Sequence, residues 1–108
     1  MSRKYLLMVI PANKRDAANA DVLSLDPDAG ETFRIGLNSS GNPFWSPSHY
    51  WTGFNVDEEL YQEIADLMDE KYPQAHLEAW DIDEYPWATR PDELLDELGL
   101  KRIQVGPF

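Results

Sequence analysis

Cysteine is absent from this chain of 108 residues. That removes disulfides, thiolate catalysis and cysteine-ligated zinc together. Long apolar runs are missing too. The longest, Tyr5 to Ala12, is far shorter than the roughly 20 residues needed to cross a bilayer, and no basic segment leads into a longer one with a small-residue cleavage site. The expectation is a soluble, cytoplasmic protein. No glycine-rich phosphate loop occurs, and Ser39, Ser40, Ser46 and Ser48 lack the glycine-flanked elbow of a serine nucleophile. Histidine is scarce: His49 and His76 form neither a His-x-His nor a His-x-x-x-His pair, whereas a catalytic zinc usually takes three protein ligands. Asp26-Pro27-Asp28-Ala29-Gly30 resembles the start of a calcium loop, but Phe33, Ile35 and Leu37 stand where further oxygen ligands are required, so it reads as a turn. Catalytic residues, a metal and a cofactor are therefore not expected, and neither is an enzyme.

Positive charge is the next shortage. Nine Lys/Arg face twenty Asp/Glu, for a net charge of −11. Residues 1–54 balance, with five of each sign, while residues 55–108 hold four cations against fifteen acids. Such a field repels phosphate backbones and anionic lipid, which excludes direct nucleic-acid or membrane binding, and it steers basic surfaces inward.

What is present is enough apolar sequence for one core. Hydrophobic residues make up 43% of the chain and fall in discrete segments. The unbroken run Tyr5 to Ile10 predicts a central strand. Lys14 to Leu25 predicts a short helix with Ala18, Val22 and Leu25 on one side. Alternation from Thr32 to Asn38 puts Phe33, Ile35 and Leu37 on one face of a second strand. His49 to Phe54 predicts a third, closing a hairpin around the turn at residues 38–43. Asn55, with Glu58 three residues on, predicts a capped helix carrying Leu60, Tyr61, Ile64, Leu67 and Met68 on one stripe. Ala75 to Trp80 predicts a fourth strand, with Leu77 and Ala79 opposite His76, Glu78 and Trp80. Thr89 and Pro91 open a last helix with Leu94, Leu95 and Leu98 inward, which Gly99 ends. A short edge strand is expected within Lys101 to Val105.

The order β, α, β, β, α, β matches the split βαβ arrangement of ferredoxin-like domains. A single α+β domain over residues 1–108 is expected, an antiparallel sheet with helices on one face plus an extra C-terminal helix. The other face would then be open. Aromatics at Trp45, Tyr50 and Trp51 around the hairpin, and at Trp80, Tyr85 and Trp87 beside Asp81, Asp83 and Glu84, predict a protein-binding patch of rings rimmed by acid.

Leu25 to Phe33, Gly36-Leu37, Ser39-Ser40-Gly41 and His49-Tyr50-Trp51 resemble small uncharacterised proteins of bacteriophages and prophages. The resemblance implies action inside a host bacterial cell or in the virion. With the charge, it leads to the expectation of a non-enzymatic inhibitor, anti-CRISPR-like in mode, that occupies a basic site on a host nucleic-acid-handling or defence complex. The alternatives are a self-associating accessory protein of phage assembly, a homodimer in its simplest form, and an immunity protein for a basic toxin.

Overall fold

The apolar run near the N-terminus becomes β1 (Arg3–Pro11), and all six residues from Tyr5 to Ile10 are buried. The computed structural model describes residues 3–39, 46–81, 83 and 90–103. After β1, a single 3₁₀ turn (Ala12–Lys14) leads into α1 (Arg15–Leu25). There follow β2 (Glu31–Asn38), β3 (His49–Asp57), α2 (Glu58–Lys71), β4 (His76–Asp81), α3 (Arg90–Leu98) and β5 (Lys101–Arg102).

The strands form one antiparallel sheet in the order β4-β1-β3-β2-β5. Since β3 is antiparallel to both neighbours, β1 and β2 run the same way with β3 between them, joined through α1. β3 and β4 likewise run the same way around β1, joined through α2. Strand alternation divides the core into two halves. On the front, Leu6, Met8, Ile10, Phe54 and Val56 meet Ala18 and Val22 of α1 and Ile64 and Met68 of α2. On the back, Tyr5, Leu7, Val9, Leu37 and Trp51 meet Leu94 and Leu95 of α3 and Leu100 beyond it.

The open face expected from the sequence is therefore closed. α1 and α2 cover the front and α3 covers the back, because Leu94 and Leu95 need an apolar surface and the odd-numbered residues of β1 supply one. Leu98, expected inward, is 37% exposed, and Leu100 is buried instead. The helix end explains the exchange. Gly99 takes φ +69°, the Leu100 N–H donates to the Leu95 carbonyl at 2.9 Å and the Gly99 N–H to that of Asp96 at 3.2 Å. This double closure turns Leu100 back onto Leu95.

The start of α2 also differs from expectation. β3 continues through Asn55 and Val56, which pair with Tyr5 and Lys4 of β1, so the cap falls at Asp57, whose Oδ1 accepts from the Glu59 N–H at 2.8 Å. Strand pairing with β1 outweighs the capping signal at Asn55. Behind this cap sits Asp26, buried, with one oxygen accepting from the Asp28 N–H at 3.1 Å and the other from the Asp57 N–H at 2.9 Å. The turn before β2 is thereby tied to the start of α2. Among the described residues no helix is long and apolar enough to cross a membrane.

Candidate functional site

Among the described residues, the aromatics singled out from the sequence divide between the two faces, Tyr50 on the front and Trp51 and Trp80 on the back. Trp51 lies on the back of β3, 1% exposed beneath α3, and is core. Its place among the partner-binding residues is corrected: an indole sealed under a helix is closed to an incoming protein. Tyr50 points to the front and is half-buried, but its rim is basic. The guanidinium carbons of Arg15 and Arg34 stand 5.8 and 5.7 Å from its ring centre. The ring is satisfied by cation–π contact within the fold. Trp80 is half-buried on the back of β4, packs against the back core and donates its indole N–H to Glu78 at 2.6 Å. Asp81 and Asp83 are exposed, and Asp81 pairs with Lys4 at 3.0 Å, raising the pKa of that ammonium group. Trp45, Glu84, Tyr85 and Trp87 lie outside the described residues.

The densest polar cluster was missed by sequence reasoning. Glu78, in the middle of β4, accepts from Arg90 Nε at 2.7 Å and Nη2 at 2.8 Å, and from the Trp80 indole; His76 Nε2 lies 3.2 Å away. Arg90 opens α3 and also approaches Glu93 at 3.8 Å and Glu97 at 3.4 Å. The fork of Arg90 is the main cause that pulls the Glu78 carboxyl down to about 2, against the effect of burial, with His76 and Trp80 adding to it. A carboxylate held ionised with both oxygens occupied has a positional role here: it pins the first turn of α3 onto the sheet edge. Its partner lies twelve residues away, and no local periodicity announces such a contact.

The predicted acidity does reach the surface, on both helical layers. Along α2, Glu59, Glu63, Asp66 and Glu70 recur at helical spacing, all exposed, opposite the stripe of Ile64 and Met68. On α3, Asp92, Glu93, Asp96 and Glu97 face outward. Between α3 and β5 lies an open groove of about 440 Å³, floored by Leu95 and Leu100, with Asp92 and Asp96 on one wall and Lys101 and Arg102 on the other. Among the described residues no cluster of three metal-ligating side chains occurs. No protein-family model, characterised protein or solved structure matches the chain.

Proposed function

We propose that the chain is a ferredoxin-like domain that works without catalysis, as an acidic binding protein for a partner with a basic surface. The strand order β4-β1-β3-β2, with α1 and α2 as crossovers on one face, supports the split βαβ reading. β5 is an addition at one edge and α3 an addition on the second face.

The observation that carries the binding reading is the row of Glu59, Glu63, Asp66 and Glu70. All four are exposed, and among the described residues no cation pairs with any of them. Successive carboxylates one turn apart repel one another and cost the helix a few tenths of a kcal/mol each, roughly. A cationic partner would relieve that repulsion and be steered by it. In the phage-type setting, the partner is a host nucleic-acid-handling or defence protein, and the acidic helices compete with nucleic acid for its basic site.

The test is a pull-down from bacterial lysate at about 50 and 300 mM salt, since the Debye length falls from about 14 to 6 Å across that range. It uses the native chain beside a Glu59→Lys/Glu63→Lys/Asp66→Lys/Glu70→Lys variant. A basic protein should be captured at low salt only, and by the native chain only. Equal capture by both chains, or capture indifferent to salt, defeats the reading.

A further inference from the structure

We propose that the groove between α3 and β5 holds the C-terminal end of the basic partner. The terminal carboxylate meets Lys101 and Arg102, an apolar last side chain covers Leu95 and Leu100, and a lysine or arginine meets Asp92 and Asp96. The proposal rests on the binding reading above and names the part of the partner that is read.

On the outer faces of α2 and α3 the exposed row of charge is acidic. In this groove two acids stand against two cations over an apolar floor. All four are exposed, and among the described residues none of them forms an ion pair. Acid and cation on opposite walls therefore stand farther apart than the roughly 4 Å of a salt bridge. A ligand seated between them can contact both. The volume of about 440 Å³ falls within the usual range of ligand clefts.

Both walls are fixed before anything binds. α3 is seated by Leu94 and Leu95 and by the fork of Arg90 on Glu78, and the bond from the Leu100 N–H to the Leu95 carbonyl sets the floor. Lys101 and Arg102 pair with Asn38 and Leu37 of β2, and the Ile103 N–H donates to the Gly36 carbonyl at 3.1 Å. A site built on rigid elements loses little entropy when it is filled.

Charge selects the occupant. A wholly basic segment is repelled by Lys101 and Arg102, and a wholly acidic one by Asp92 and Asp96. A phosphate backbone also meets Glu93 and Glu97 on the outer side of α3. A second copy turned face to face sets acid on cation but leaves both floors unfilled. What fits is a segment with one charge of each sign on either side of an apolar group. A partner with a basic surface supplies the cation from its side chains. The anion that every chain possesses, whatever its composition, is its terminal carboxylate. Lys and Arg side by side hold such a group through charge-assisted hydrogen bonds.

The probe is an acetylated tetrapeptide, alanine-alanine-lysine-leucine with a free carboxylate, titrated into the isotopically labelled full chain at about 50 mM salt. Two counterparts serve as controls: one ends in an amide, and the other carries norleucine in place of lysine. The groove predicts amide shifts at Leu95, Leu100 and Arg102. Amidation should weaken binding about tenfold, and so should norleucine. Lys101→Gln/Arg102→Gln should bind acid and amide alike, and Asp92→Asn/Asp96→Asn should bind the lysine and norleucine peptides alike. Equal affinity of the native chain for the free acid and the amide overturns the proposal, as does indifference to the lysine. Shifts confined to the row from Glu59 to Glu70 on α2 overturn this site and leave the acidic binding function standing. Shifts in the groove that grow with protein concentration alone assign it to a second copy and overturn the proposal too. If no peptide binds, the site is overturned, and the pull-down above still decides the binding function separately.

Discussion

On the front of the sheet, α1 and α2 arrive as connections that the chain must make between strands, and they bring Ala18, Val22, Ile64 and Met68 with them. They are also tied to each other: Asp21 of α1 accepts from the Tyr72 hydroxyl at 2.6 Å and from Lys71 at 2.9 Å. On the back, α3 follows β4 and leads only into the two-residue edge strand β5, spans nine residues, and is held by Leu94, Leu95 and Leu100 and by the fork of Arg90 on Glu78. The difference is one of redundancy. Losing a front helix removes the crossover between two strands that flank a third, whereas losing α3 uncovers Trp51, Tyr5 and Leu7 while every β1, β3 and β4 pairing persists. The back layer is therefore expected to open by itself at lower free energy than the front.

Trp51→Ala strikes the back core hardest. A fully buried indole replaced by a methyl group costs about 3–5 kcal/mol, measured by urea denaturation. A cost under about 1 kcal/mol would mean that α3 does not seat on that indole. Glu78→Gln is the sharper probe of the comparison. It removes the charge that holds Arg90 and costs about 2 kcal/mol, below the range for breaking a fully buried pair because Arg90 keeps access to water and to two further carboxylates. Hydrogen exchange should then quicken in α3 while α1 and α2 keep their protection. The pH dependence follows from the depressed carboxyl. Its contribution is complete above the ordinary value of 4.5 and is lost as pH falls toward about 2. The native chain should lose stability across that window, and the Gln variant should lose less. Parallel acid limbs in the two chains would show that Glu78 does not hold the helix.

Most of the strands were legible because their evidence is local. Tyr5 to Ile10 announces a central strand by being unbroken, and Leu77 and Ala79 share one face opposite His76, Glu78 and Trp80 as expected, a face that pairing with β1 sets beside Met8 and Leu6. The stripe of α2 was equally plain. Alternation says which residues share a face but not what covers that face, so Trp51 read as an available ring until α3 was seen above it. Tyr50 is the converse. It was expected in a patch of rings rimmed by the acids around Asp81, but Arg34 comes from the adjacent strand and Arg15 from the preceding helix, and both contacts are made only by folding. The capping signal at Asn55 failed for a related reason: strand pairing with Tyr5 and Lys4, far away in sequence, carries β3 past it.

The smallest effect tests the tie between the front helices. The Tyr72 hydroxyl is pushed up to about 12 from an ordinary 10.0, by burial first and then by its hydrogen bond to Asp21, and that same bond lowers the Asp21 carboxyl. A group that holds its proton more tightly when folded stabilises the protein fully below its unfolded pKa and ceases to do so as pH rises through the folded one. The native chain should thus lose this contribution between about pH 10 and 12. Tyr72→Phe keeps the buried ring and removes only the hydroxyl, so it should cost about 1 kcal/mol near neutral pH. The gap between the two chains, followed by urea midpoints, should close across the alkaline window. The loss must also be global, because a weakened front tie has no separate layer to release, and exchange should quicken in α1 and α2 together. Were only α3 to loosen in this variant, the assignment of the two layers would have to be reversed.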